Sequence, residues 1–196
     1  MTYNIHKQTH DYNGFIKGWY LKDTSLCDEI IKWFENYVDT HDEQTVGMNT
    51  GYKESTDVLL DRNEELFAAY HSQLRDITDL YFEEFPTANA YDPFGIIDGT
   101  NVQRYYPTQG FHSWHTERSN ARMPNVTRHL VFMTYLNDIS DEGETEWKHQ
   151  GLKVKPEKGL TVIWPADWTY THRGISSKTE TKYITTGWYN YVEMDN

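Results

Sequence analysis

Two stretches in the first half of the chain repeat apolar residues at helical intervals. Leu26, Cys27, Ile30, Ile31, Phe34 and Val38 fall three and four apart behind the capping side chains Asp23, Thr24 and Ser25, which predicts a helix over 25–39. Leu66, Phe67, Tyr70, Leu74, Ile77, Leu80 and Tyr81 form a second stripe and predict a helix over 63–85, ended by Pro86. Between them, residues 41–61 carry Gly47, Asn49, Gly51 and several charges, a composition that suits an exposed loop with a short strand at 57–60. Loops of that length often border binding sites, so 41–61 is a candidate lid.

After residue 100 the period shortens. Apolar or alternating runs separated by Gly, Pro, Asn and Asp predict strands at 101–106, 111–117, 127–136, 145–149, 160–164, 168–172 and 181–192. Seven short antiparallel strands need closure, and a double-sheet jelly roll is one way to provide it. The expected class is mainly β with flanking helices (α+β): a double-stranded β-helix core backed by N-terminal helices. At 196 residues, with no internal repeat and no low-complexity tract, the chain reads as one domain over 1–196. Residues 1–100 would be a helical support region and 101–192 the jelly-roll core.

Composition removes several functions. Eighteen basic against 30 acidic side chains give a formal charge of −12, which opposes attraction to a phosphate backbone, so nucleic acid is not expected as a substrate. Cys27 is the only cysteine; it can form no intrachain disulfide, and within an amphipathic helix it reads as a small buried hydrophobe. The first residues lack a basic segment followed by an apolar run, and no stretch reaches membrane-spanning length. A cytoplasmic protein without a membrane partner is expected; oligomeric state is not legible.

The chemistry concentrates in the second half. His115 and Glu117 are two apart, and in an extended chain residues i and i+2 share a face while Trp114 and Thr116 take the other. With His172 they make two imidazoles and one carboxylate, the ligand set of a facial non-haem Fe(II) site that keeps metal positions open. A His112 and His115 pair is the weaker alternative, because an odd separation points the two rings apart on a regular strand.

Six segments occur in an order and spacing that resemble the Fe(II)- and 2-oxoglutarate-dependent dioxygenases, specifically their prolyl 4-hydroxylase-like group. Tyr106-Pro107, Gly110 and His115-Thr116-Glu117 resemble its tyrosine, glycine turn and HxD/E pair. Arg128 to Asn137 is similar to its arginine-led strand ending in Tyr-Leu-Asn, and Glu142 to Trp147 to its Gly-Gly-Glu-Thr-x-Phe segment. Val154 to Gly159 resembles the V-x-P-x-x-G turn, His172-Arg173-Gly174 the distal histidine, and Lys182-Tyr183 with Thr186 and Trp188 the co-substrate strand. Two positions depart: Glu117 stands where aspartate is commoner, and Glu142 where the first glycine usually stands. An oxygen donor is retained at Glu117, so metal binding survives that change.

The resemblance implies Fe(II) on His115, Glu117 and His172, with 2-oxoglutarate and O2 as co-substrates; ascorbate is a candidate auxiliary. It assigns the far carboxylate of 2-oxoglutarate to Lys182, an inward charge on a period-two apolar strand that needs a partner. Tyr135 and Thr186 would hydrogen-bond the same carboxylate, Tyr106 would line the pocket, and Arg128 would support the metal site. Of Trp114, Trp147, Trp164, Trp168 and Trp188, one or two are expected beside substrate, the rest in the core. Arg118 and Arg122 read as a solvated loop rather than contacts for an acidic peptide. The implied activity is hydroxylation of a C–H bond, foremost a prolyl residue of a peptide or protein; another amino acid or a small metabolite stays open. A nucleic-acid demethylase is disfavoured by the acidic charge and by lysine as the anion anchor. A radical halogenase is disfavoured by Glu117, which occupies the place a halide would take. The contrasting class is a non-catalytic β-sandwich binding protein that retains a metal.

Overall fold

Helix α1 (Ser25–Thr40) and helix α2 (Glu65–Glu84) form where the apolar stripes predict them, in a computed structural model that describes residues 10–12, 14–41, 47–49 and 51–193. The α1 terminus is held by Asp23, whose Oδ1 accepts both the backbone N–H and the hydroxyl of Ser25. Leu26, Cys27, Ile30, Phe34 and Val38 are the buried face of α1, and Tyr70, Leu74, Ile77 and Tyr81 that of α2. Cys27 is fully buried, and burial pushes its thiol up to about 11, so it is an inert part of the core.

The strands are β1 (His10–Asp11), β2 (Lys17–Tyr20), β3 (Gly47–Asn49), β4 (Glu54–Leu60), β5 (Phe94–Gly95), β6 (Thr100–Tyr105), β7 (Arg128–Tyr135), β8 (Thr145–Trp147), β9 (Leu152–Val154), β10 (Leu160–Pro165), β11 (His172–Gly174) and β12 (Lys182–Tyr191). Among the described residues they form two antiparallel sheets. The larger has the order β1-β2-β10-β7-β12-β6-β4-β3, with β5 on the far end of β12; the smaller is β11-β8-β9. This is the jelly-roll core with two helices behind it.

Strand parity divides the interior into two layers. Leu130 and Phe132 of β7 and Tyr189 of β12 join the helices in one cluster, while Val131, Met133, Tyr135 and Ile184 join Trp147, Val154 and Trp164 of the other strands in a second. On β12 this sends Lys182, Ile184, Thr186 and Trp188 towards the space between the sheets. Gly187, on the opposite parity, must be glycine: a Cβ there would lie 2.3 Å from Cζ of the buried Phe132. Gly187→Ala is therefore expected to destabilise the fold by about 1–3 kcal/mol through overpacking. Thermal unfolding should show a drop of several degrees, and an unchanged midpoint would mean that Phe132 has room to move.

Four expectations are corrected. Residues 111–117 are not a strand: the segment crosses from one sheet to the other, meeting β-partners only at the single bridges Lys53↔Phe111 and His115↔His172. Residues 168–170 form a 3-10 turn, closed by Tyr170 N–H to Asp167 and Thr171 N–H to Trp168, and the strand starts only at His172. The first hundred residues are not only helical, because β2 pairs with β10 and β4 with β6. Lys17 to Trp19 of β2 are all buried, so the strand has no polar alternation to reveal it. Strand β4 begins at Glu54, three residues before the expected Asp57. Positions 42–46 and 50 of the candidate lid lie outside the described residues. No described helix is long and apolar enough to cross a membrane.

Candidate metal centre and adjoining cavity

His115, on the crossing segment, and His172, at the start of β11, exchange backbone hydrogen bonds in both directions, at 3.0 and 2.9 Å. That bridge brings their rings to 4.3 Å between centroids. Glu117 follows two residues on; its Oε1 lies 3.5 Å from Nε2 of His115 and 3.3 Å from Nε2 of His172. The three side chains present one ligand atom each within 4.8 Å of one another. Thr116, between them, also lines the cavity, its hydroxyl donating to the carbonyl of Ala166.

Both rings are oriented from behind. Nδ1 of His115 sits 3.0 Å from the carbonyl of Ser113, and Nδ1 of His172 sits 2.9 Å from that of Tyr170. A carbonyl only accepts, so each Nδ1 carries hydrogen and Nε2 is the ring atom turned to the cluster. Phe111 stacks on His115 at 3.7 Å, and Trp147 and Trp164 flank His172.

The second carboxylate oxygen of Glu117 is already engaged. Oε2 accepts from Nη1 of Arg128 at 3.1 Å and from the indole N–H of Trp188 at 3.0 Å. Arg128 also donates to the Glu117 carbonyl at 2.9 Å and lies 3.6 Å over the Trp188 ring. Burial by itself raises the Glu117 carboxyl, but hydrogen bonds and charge from His115 and His172 outweigh it and hold it well below the usual carboxylate range.

The cluster opens into a cavity of about 480 Å³ between the sheets. Its floor is a cross-strand grid: Lys182, Ile184 and Thr186 of β12 lie beside Tyr105, Gln103 and Asn101 of β6, and Asp57 of β4 lies beside Gln103. At one end Lys182 is only 4 % exposed, and its ammonium donates to the carbonyls of Gly143 at 2.9 Å and Ile175 at 3.4 Å. No carboxylate is among those hydrogen-bond partners. Burial lowers its pKa to about 8, with Glu144 acting in the opposite direction.

Lys182, Thr186, Arg128 and Trp188 line the cavity with the three clustered residues. Tyr135 does not: its hydroxyl donates to Thr145 at 2.8 Å, and Thr145 is the group on the wall. Tyr106 is 46 % exposed beneath Arg104, and its neighbour Tyr105 takes the inward place, which corrects the expectation by one strand position. Of the five tryptophans, Trp164 and Trp188 reach the cavity, Trp147 is core, Trp114 stacks under Arg173, and Trp168 is 66 % exposed. Arg118 pairs with Asp167, and Arg122 is exposed. His112 faces a separate cavity with Glu142, Glu144, Lys153 and Arg173, away from the cluster.

Sequence reading missed Tyr105, Thr145, Asn101 and Gln103, together with Lys53 and Asp57 from the first half. Period-two counting along β6 from Tyr105 finds Gln103 and Asn101. Nothing in the sequence near Lys53 points to the site. In the structure Asp57 accepts from Lys53, Ser55 and Gln103, and Tyr105 donates to Gln103 at 2.7 Å, so one hydrogen-bonded chain runs along that wall.

The family profile described as the 2OG-Fe(II) oxygenase superfamily matches residues 100–190, a span that starts in β6, ends in β12 and contains the cluster and Lys182. Residues 100–190 carry the 2OG-Fe(II) oxygenase family match, and the same sheet extends through β2 and β4 of the first hundred residues. The class of chemistry is therefore that of a dioxygenase using Fe(II), 2-oxoglutarate and O2. A search among curated proteins finds none that matches the chain.

Solved structures share the oxygenase fold. The viral collagen prolyl hydroxylase of Paramecium bursaria Chlorella virus-1, in its 2-oxoglutarate complex, aligns with a TM-score of 0.69 at 18% identity over 92% of this chain and 98% of its own. A Pseudomonas putida prolyl-4-hydroxylase aligns with a TM-score of 0.70 at 14% identity, over 92% and 95%. A Trichoplax adhaerens prolyl hydroxylase bound to a hypoxia inducible factor peptide fragment aligns with a TM-score of 0.68 at 14% identity, over 91% and 84%.

The residues present fit both groups that the oxygenase family uses. Two Nε2 atoms and one carboxylate oxygen within 4.8 Å of one another suit Fe(II) on one face. A buried ammonium whose hydrogen bonds among the described residues go to carbonyls suits a carboxylate, whose charge would offset its desolvation.

Proposed function

We propose that His115, Glu117 and His172 hold Fe(II), that Lys182 and the Thr145 hydroxyl receive the far carboxylate of 2-oxoglutarate, and that the enzyme hydroxylates a prolyl residue of a peptide or protein. The observation that carries the metal assignment is the convergence of Nε2, Nε2 and Oε1 with every other polar atom of those side chains committed elsewhere. The prolyl reading is supported by the fold neighbours, each named as a prolyl hydroxylase.

When bound, the iron and its co-substrate supply the oxidation: O2 is divided between succinate and the substrate C–H bond, and CO2 is released. The chain's own residues orient and enclose. Lys182 and Thr145 fix one end of the co-substrate, and Tyr135 holds Thr145 from behind. Thr186 lines the floor between anchor and metal with its hydroxyl turned to the Phe132 carbonyl. The apolar Ile184, Met133 and Trp164 exclude water along that path, which strengthens each charge contact within it.

Incubation of a proline-containing peptide library with Fe(II), 2-oxoglutarate and O2 should add one oxygen atom to prolyl peptides, with one succinate formed per hydroxylation. Oxygen located on another residue, or succinate formed only with free amino acids or small metabolites, would overturn the prolyl assignment and leave the dioxygenase class in place.

A further inference from the structure

Glu117 carries one methylene more than aspartate, which gives its carboxylate freedom to swing or to chelate with both oxygens. The structure removes that freedom. Oε2 is held by two donors from two strands, Arg128 at the head of β7 and Trp188 on β12, and only Oε1 faces the imidazoles. We propose that Arg128 and Trp188 are positioning residues that restrict Glu117 to a single ligand oxygen and so keep metal positions free for the co-substrate and O2. The inference rests on the ligand assignment above and goes beyond it.

A backbone irregularity makes the clamp possible. Leu130 and Phe132 of β7 face the helices, so on a regular strand Arg128 would face them too. The register against β12 slips instead: Tyr189 pairs with Leu130, and Asn190 with Arg128, so that His129 is the extra residue of a bulge. His129 turns to the carbonyl of Ala88 and the hydroxyl of Tyr191. Arg128 is thereby delivered to the cavity side, where its guanidinium carbon lies 3.6 Å over the Trp188 ring and its Nη1 bridges the Glu117 carbonyl and carboxylate. Ring and guanidinium fix one another, and together they fix Oε2.

If the clamp acts through Glu117, its removal should matter only while the longer acid is present. Trp188→Phe keeps the ring under Arg128 and loses the indole N–H. Mn(II) binding followed by electron paramagnetic resonance, with Mn(II) as the probe, should show affinity falling about tenfold or more in Trp188→Phe, the scale of lost supporting contacts around a metal ligand. In Glu117→Asp, whose shorter carboxylate is withdrawn from the clamp, adding Trp188→Phe should change Mn(II) affinity by less than about twofold, since the supporting contact is already gone. Arg128→Gln should repeat the pattern if Trp188→Phe fails to fold by circular dichroism. Equal losses in the parent and in the Glu117→Asp background, or no loss in the parent, would overturn the clamp and reduce both residues to packing. Failure of the parent chain to bind Mn(II) at all would instead overturn the ligand assignment beneath it.

Discussion

His172→Ala is expected to reduce 2-oxoglutarate turnover by on the order of 10³-fold while the chain remains folded, because a metal ligand contributes several kcal/mol to transition-state stabilisation. His172 is one of the two nitrogens aimed at Oε1 of Glu117 and the only cluster member inside a regular strand. The stability cost should be smaller. Truncation empties the space between Trp147 and Trp164 and deletes the bond to the Tyr170 carbonyl, together about 2–4 kcal/mol on the scale of large-to-small core substitutions. The β11–β8 pairing is main-chain and survives. Succinate formation coupled to substrate, measured beside far-ultraviolet circular dichroism, separates the two effects. Turnover at the parent rate would remove His172 from the ligand set.

The second large effect belongs to Lys182. Lys182→Met keeps most of the stem and removes the buried charge, and 2-oxoglutarate affinity should fall by about 10²-fold or more, as expected for loss of one partner of a desolvated charge pair. The parent should also show a characteristic pH dependence. With its pKa lowered to about 8 by burial, Lys182 is an ammonium at pH 7 and loses its proton above pH 8, so affinity for the dianionic co-substrate should decline by up to about tenfold per pH unit there. The sign for stability is the reverse. The unfolded lysine titrates near its ordinary value, so between about pH 8 and 10 the unfolded chain binds more protons, and the Lys182 contribution to folding improves as pH rises. Isothermal titration with 2-oxoglutarate from about pH 7 to 9.5, a window that brackets the lowered pKa, checks the claim: the slope should be present in the parent and absent in Lys182→Met. A flat profile in the parent would show that the anion is held elsewhere.

Much of this arrangement is legible in the sequence, and the parts that are not have identifiable causes. The i, i+2 relation of His115 and Glu117 keeps them close enough to share the cluster even though their segment is not a strand. Period-two counting on β12 puts Lys182, Thr186 and Trp188 on one face because that strand is long and regular up to Tyr189. Counting fails where regularity fails. Tyr105 and Tyr106 are adjacent residues of the same type at a strand end, and only the pairing of Lys182 with Tyr105 decides which points inward. Arg128 reaches Glu117 through a bulge that no local pattern announces. Lys53 and Asp57 enter the cavity wall through the pairing of β4 with β6, and β2 is buried on both faces, so the contribution of the first hundred residues to the sheet is set by long-range pairing rather than by composition.

The central claim is that one cavity holds Fe(II) on His115, Glu117 and His172 while Lys182 fixes 2-oxoglutarate across it. Anaerobic absorption spectroscopy near neutral pH tests both halves at once, because a visible charge-transfer band requires 2-oxoglutarate chelated to the bound iron. The expected result is a band that grows and saturates with 2-oxoglutarate in the parent chain, is absent in His172→Ala, and saturates only at much higher 2-oxoglutarate in Lys182→Met. A folded parent chain that shows no band with saturating Fe(II) and 2-oxoglutarate would contradict the account and favour a binding protein that retains the fold without the chemistry.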